Sequence, residues 1–441
     1  MKKHRHVTSF QIITAGFVAA IGLGAVFLMM PFASANGEWT NPMDAVFTAT
    51  SAVCVTGLSV VDTATHWSFW GQLIILILIQ TGGMGVVTAA VVLTSISGRK
   101  VGLMQKNTLM EAIAVPSIGG IVKMSGFIFK AALIMEAAGA AALFQVFIKD
   151  MDATRALWYA VFHSVSSFCN AGFDLMGTDG ESFSLMRYSD SILLNVTVMT
   201  LITAGGAGFL TWEDIRSKKL NFRKYRMQTK VILIMSAVLV MVTALYLLVF
   251  EYTGGNLKER VLKSAFQSVT TRTAGFCTAD FARMSQVSLL FMIVLMSIGG
   301  SPGSTAGGMK TTTAAVLIFS AVSVFRRKSY TEMFGRRIPA GTERNAATVL
   351  MVYLVMIVGG GAAIGFIEDV PVLYALFETA SAAGTVGLTL GMTAGVTNAS
   401  KLILMVLMFL GRVGSMTFIF AVVPGQRVGG SSFPQEKITV G

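Results

Sequence analysis

The chain has 441 residues, 54% of them apolar and only 13% charged, with a mean hydropathy of +0.70. Soluble domains carry about 25% charged residues, so these values exclude a soluble globular protein and point to a polytopic membrane protein. A net charge of +12 could suit nucleic acid, but the charges are segregated between loops, and three cysteines without CxxC spacing exclude a disulfide framework or thiolate metal site.

A basic start, Met1 to His6, leads into an apolar run from Val7 to Phe32. Ala33-Ser34-Ala35 resembles a signal-peptidase site, yet the run is longer than the roughly 7 to 15 residues of a signal core. Thr8 to Met30 is therefore read as a retained outer helix. Asp44 to Ala52 follows as a pore helix and Trp67 to Ile96 as an inner helix interrupted at Gly82-Gly83-Met84-Gly85. Residues 98 to 123 form a basic connection of little apolar length.

The pattern then recurs. Ser125 to Ile148, Arg155 to Ser167 and Ser191 to Leu210 are the outer, pore and inner helices of a second unit. Lys130 and Glu136 fall inside its outer helix, six residues apart and on different faces, so they are not a helical ion pair. His163 lies in the pore helix without a second ligand at metal spacing and reads as a hydrogen-bonded packing residue. Trp212 to Arg226 is the most basic loop, suited to anionic lipid headgroups or to a cytoplasmic partner. Met227 to Phe250 and Val261 to Thr271 open a third unit.

Its inner segment, Ser285 to Phe325, is 41 residues long, about 60 Å as one helix at ~1.5 Å per residue. That is twice the ~30 Å hydrocarbon core. The centre, Gly299-Gly300-Ser301-Pro302-Gly303-Ser304-Thr305-Ala306-Gly307-Gly308-Met309-Lys310, holds the worst helix formers and must break in mid-membrane. Asn345 to Ile367, Val372 to Ala383 and Ser400 to Val423 make the fourth unit, whose inner helix carries Gly411-Arg412-Val413-Gly414. The units are 1–97, 98–212, 213–326 and 327–423, with a short tail at 424–441.

Each pore helix contains a phenylalanine (Phe47, Phe162, Phe266, Phe377) placed 10, 10, 9 and 10 residues before a glycine. The four loops read Cys54-Val55-Thr56-Gly57, Cys169-Asn170-Ala171-Gly172, Arg272-Thr273-Ala274-Gly275 and Gly384-Thr385-Val386-Gly387. Irregular backbone at membrane depth survives only where protein buries it or where it lines a watery cavity. Four such loops around an axis can offer rings of carbonyl oxygens that replace an ion's hydration shell. Arg272 cannot point into such a pore without repelling a cation, so it is expected to turn back and bind carbonyls behind the loop.

The Val-Thr-Gly and Thr-Val-Gly runs resemble potassium-channel filters, and their fourfold repetition resembles the Ktr/Trk/HKT superfamily of cation transporters, most of all the membrane subunit of bacterial Ktr systems. The resemblance implies an all-α fold of four outer helix, pore loop, inner helix repeats in pseudo-fourfold arrangement, with eight spans. It implies a potassium-selective filter at the four loops, where glycine rather than serine at Gly57 favours K+, and a gating loop at Gly299 to Gly308 lying across the pore. A Na+-permeable or Na+-coupled transporter of the same superfamily is the alternative. It implies further a homodimer docked on a cytoplasmic RCK/KTN-type regulatory ring, with ATP/ADP or NAD(H) on that partner and no cofactor on this chain.

Two readings of the intramembrane cations stay open. Lys310 and Arg412 either bind helix-end and loop carbonyls and lock the packing, or Arg412 adds an electrostatic barrier below the filter. The match of Gly303 to Thr311 to a Walker A loop fails, because Met309 intervenes before Lys310 and no strand precedes it. No catalytic triad or paired catalytic carboxylates exist, so an enzyme is not expected. If both ends of every repeat lie on one side, that side holds 22 Lys and Arg against 6 acidic residues, and the other 8 against 15. The basic side, with both termini, is read as cytoplasmic by the positive-inside rule.

Overall fold

The computed structural model describes residues 8–96, 102–113, 121–177, 184–219, 221–339 and 341–422. The N-terminal basic stretch, the tail and parts of the first basic connection lie outside them. Among the described residues four helices are each long and apolar enough to cross a membrane, six spans if each of two bent pairs counts as one, and the four are the outer helices. These run over Ser9–Met29, Ile121–Phe147, Met227–Tyr246 (extended by a π-helical turn, Leu247–Glu251) and Thr342–Glu368. Less than a third of each is buried, and side chains such as Phe366 at 91% and Met241 at 70% exposure point outward. In water such a surface would drive aggregation; facing lipid tails it costs nothing.

The pore helices are Pro42–Cys54, Ala153–Phe168, Leu257–Thr270 and Val372–Gly384. Asn41, Asp152 and Asn256 cap the first three by accepting backbone N–H groups of the first turn. Glu378 falls in the middle of the fourth. The first three inner helices begin at Phe69, Ile192 and Gln286, each capped by a serine: Ser68, Ser191 and Ser285. Thr397 starts the fourth and is itself held by Glu368, which accepts both its N–H and its hydroxyl.

Packing shows the symmetry. Each outer helix lies on its own pore helix, and each inner helix packs on the pore helix of the following repeat, the fourth on that of the first. The circle therefore closes. An ion pair between Lys401 of the last inner helix and Asp44 of the first pore helix, at 2.8 Å, lies on that closing seam.

All four inner helices break at a corresponding point. The first stops at Gly83 and resumes at Val86, as the glycine cluster implies. The third runs Gln286–Ser297, leaves helical geometry for thirteen residues and resumes as Thr311–Phe325. The second and fourth depart from the expected continuous helices. Ile192–Gly206 turns by 97° into Phe209–Lys218, and Asn398–Val413 turns by 99° into a final helix ending at Val422. Gly208 and Gly414 make these turns at φ of 89° and 90°, a conformation open to glycine at little cost. The breaks coincide with close approaches: a Cβ on Gly82, Gly205 or Gly411 would overlap the carbonyl oxygen of Val53, Phe168 or Ala383 at the end of the same repeat's pore helix. Two further elements were not anticipated, a helix at Leu103–Ile113 within the basic connection and a small hairpin pairing Glu332–Met333 with Arg336–Arg337.

Candidate ion pathway

The four loops share one backbone conformation. Val55, Asn170, Thr273 and Thr385, each two residues before its glycine, have φ of 58°, 58°, 67° and 51°, and the glycines Gly57, Gly172, Gly275 and Gly387 have 87°, 71°, 81° and 90°. Left-handed φ in a β-branched residue is a true outlier, costing about 1–3 kcal/mol and kept only where surroundings impose it. Three of these four positions bear such a residue. Nothing in their identities announces this strain.

Hydroxyls at the ends of the pore helices hold the loops. Ser51 accepts the N–H of Gly57 and Ser381 that of Gly387, both at 3.1 Å. In the other two repeats the hydroxyl acts one residue further on: Ser166 donates to the carbonyl of Phe173 at 2.7 Å and Thr270 to that of Phe276 at 2.5 Å.

The glycines meet in a ring. A Cβ added to Gly172 would lie 2.8 Å from the carbonyl oxygen of Ala274, and one on Gly275 2.7 Å from that of Val386. Added to Gly57 or Gly387 it would overlap the carbonyl oxygen of Ala171 or Thr56. Each glycine thus abuts the residue before the glycine of the next repeat, and the cycle returns to its start. The glycines are required by this approach as well as by their φ.

Two of the first loop residues, Cys169 and Arg272, reach neighbouring helices. The Cys169 sulfur lies 3.4 Å from Oε1 of Gln80 on the first inner helix, while a Cβ on Gly384 would overlap the carbonyl of Met296. Arg272 turns back into protein as expected but finds a different partner, the hydroxyl of Ser236 on the third outer helix at 3.5 Å, rather than carbonyls. The three cysteines are free thiols. Gln80 also donates to both oxygens of Glu136, at 3.0 and 3.2 Å. That partner is 56 residues away and on another helix, so no local pattern names it. His163 behaves as a packing residue, its Nδ1 2.7 Å from the Tyr159 carbonyl and its Nε2 accepting from the N–H of Leu175 at 3.3 Å.

The break in the third inner helix is laced to the other repeats. Ser301 and Thr305 donate N–H groups to the carbonyls of Gly206 and Gly205, and the Thr305 hydroxyl reaches the Phe168 carbonyl at 3.1 Å and the Asn170 side chain at 3.0 Å. The Gly303 carbonyl accepts from Phe209 at 2.7 Å, at the corner where the second inner helix turns. Gly308 donates to Gly411, and a Cβ on Gly307 would overlap the Thr385 hydroxyl. Gly299 and Gly300 pair with Met309 and Thr311, closing the base of the loop.

Arg412 completes the lacing. Its guanidinium donates to the carbonyls of Thr305 in the loop and of Gly82 and Gly83 at the first inner-helix break, the last at 2.9 Å. One side chain of repeat four therefore ties repeats one and three. Lys310 instead caps within the loop, donating to the Ala306 carbonyl at 2.9 Å. Both cations bind carbonyls, the contacts that the packing role requires.

Four outer helices, four strained loops closed into a ring and a segment strapped beside them define a pseudo-fourfold integral membrane transport protein. A model of the family described as TrkH, cation transport protein, matches residues 2–427, and the chain belongs to that family. It is 38% identical over its whole length to the potassium/sodium uptake protein NtpJ of Enterococcus hirae, of which it covers 99%. It is 36% identical to Ktr system potassium uptake protein B of Bacillus subtilis, over 93% of this chain and 92% of that protein. The solved structure of the potassium transporter TrkH from Vibrio parahaemolyticus shares the fold, with a TM-score of 0.76 over 96% of this chain and 87% of that one at 19% identity.

Proposed function

We propose that the chain is the membrane subunit of a Ktr-type system and takes up K+ by passive, gated flow through the ring formed at Gly57, Gly172, Gly275 and Gly387. The observation that carries this is the cyclic approach of the four glycines with left-handed φ at the same two positions of every loop. Alternating the handedness of successive residues brings consecutive carbonyls to one side, where they can replace water around a dehydrated ion. The relatives named for potassium uptake match nearly the whole chain. The loop from Gly299 to Gly308, held by Arg412, is the gate.

The same reading places the basic loops and both termini in the cytoplasm, gives those loops anionic lipids as neighbours, and supplies a second copy of the chain and a cytoplasmic RCK/KTN-type ring as partners. ATP/ADP or NAD(H) would act on that ring. A Na+-permeable or Na+-coupled variant is favoured by one observation, the potassium/sodium name of the relative at 38% identity. The deciding experiment is uptake of radiolabelled Rb+ into liposomes holding the purified chain, with Na+ as competitor. Rb+ uptake that resists excess Na+ supports the K+ reading; equal competition by Na+ supports the alternative, and no uptake with or without the cytoplasmic ring would reject both.

The outer mouth supplies a pH dependence. Burial pushes the Asp174 carboxyl up to about 6, with the Met176 N–H and Ser184 hydroxyl opposing and the charge of Asp62 adding to the rise. Ionised above that pH, it attracts cations two residues outside Gly172; protonated below it, it does not. Uptake should therefore fall as external pH drops through about 6. Asp174→Asn should flatten that limb and lower uptake at neutral pH, and an unaltered pH profile in the variant would remove Asp174 from the mouth's electrostatics.

A further inference from the structure

Every pore helix carries a polar residue directly after its phenylalanine: Thr48, His163, Gln267 and Glu378. All four phenylalanines are fully buried, and the polar residues following them are at most 2% exposed. A polar group so placed must find partners or destabilise the fold. In three repeats the partner is the same backbone position, twelve residues on. His163 accepts the N–H of Leu175, Gln267 donates to the carbonyl of Ala279 at 3.2 Å, and Glu378 accepts the N–H of Leu390 at 3.1 Å. The interval of twelve holds even in repeat three, where the phenylalanine and glycine are one residue closer.

Glu378 is tied most firmly. Besides Leu390, its Oε1 accepts the Thr389 hydroxyl and its Oε2 the Thr393 hydroxyl, the latter at 2.8 Å. Three donors converge on this one buried side chain, against a single contact to the loop for His163 and for Gln267. Thr48, by contrast, has a buried hydroxyl with no hydrogen-bond partner. In repeat four the loop is thus pinned on both sides of Gly387, by Ser381 at its N–H and by Glu378 three residues beyond.

We propose that the residue after the pore-helix phenylalanine is a positioning brace for the outer end of its loop, that Glu378 is the strongest of the set, and that it sets the preference for K+ over Na+. The residue does not touch the ion; it fixes the carbonyls that do. The unequal chemistry of the four positions leaves repeat four rigid and repeat one unbraced. The proposal rests on the K+ reading above.

Rb+ uptake and Na+ competition in liposomes holding the full chain test it with Glu378→Ala, Glu378→Gln and Thr393→Val. Glu378→Ala leaves buried donors unpaired and is expected to raise the KM for Rb+ about tenfold and weaken discrimination against Na+. Glu378→Gln should stay within about threefold of the parent, since its carbonyl still accepts from Leu390 and its amide can donate to a threonine hydroxyl. Thr393→Val, which removes one donor, should fall between, and it carries the test if Glu378→Ala does not fold. Unchanged discrimination in Thr393→Val and Glu378→Ala would overturn the brace, as would a Gln variant as impaired as Ala, which would assign the effect to charge. If the parent protein itself fails to prefer Rb+, the K+ reading fails instead.

Discussion

Replacing Gly57 by serine should reduce the preference for K+ over Na+ by about tenfold or more, with the protein still assembled. A side chain there must sit at a φ of 87° and overlap the Ala171 carbonyl of the neighbouring loop. Left-handed strain of about 1–3 kcal/mol, where 1.4 kcal/mol is a factor of ten, can be relieved only by moving that carbonyl or the Gly57 backbone. Either movement spoils the ring, and the hydroxyl brings a ligand of different reach. Na+ competition against Rb+ uptake measures the loss. Selectivity intact in a correctly assembled Gly57→Ser variant would detach the ring from ion discrimination.

The second large effect concerns the loop of repeat three, which is tied to repeats two and four. Deleting Ser304 to Ala306 removes the Thr305 contacts to Gly205, Phe168, Asn170 and Arg412 together. Hydrogen bonds to a charged group are worth about 1.5–3 kcal/mol each, so the closed position loses its main support. Rb+ flux in the absence of any cytoplasmic partner should rise about tenfold or more. Unchanged flux would mean that the loop does not obstruct the path. Arg412→Lys separates the two roles considered for that residue. A lysine keeps the charge but lacks the planar fork that spans the Thr305, Gly82 and Gly83 carbonyls. Raised flux in the lysine variant marks Arg412 as a latch; flux like that of the parent marks it as an electrostatic barrier.

Much of this architecture is written in local pattern. The four phenylalanine-to-glycine intervals, the apolar runs around them and the glycine-rich centre of the third inner segment are each confined to a few dozen residues, so the repeats, the outer helices and the mid-membrane break could be read directly. The membrane itself helps, because it permits irregular backbone only at a few places. The sequence also placed Arg272 in protein rather than in the pore, since charge alone forbids the other orientation.

Tertiary structure decided what depends on residues far apart. The left-handed Val55, Asn170, Thr273 and Thr385 look ordinary in sequence, and their strain is imposed by neighbours in the closed ring. The sharp turns at Gly208 and Gly414 come from packing at the inner-helix breaks, where local apolarity had favoured straight helices. Gln80 reaches Glu136 across 56 residues, Arg412 reaches Gly82 across 330, and Ser236 rather than a carbonyl receives Arg272. Period and composition report which face of a helix is apolar; they carry no information about which distant carbonyl or hydroxyl a buried polar side chain will find, because that is fixed only when the four repeats close around one axis.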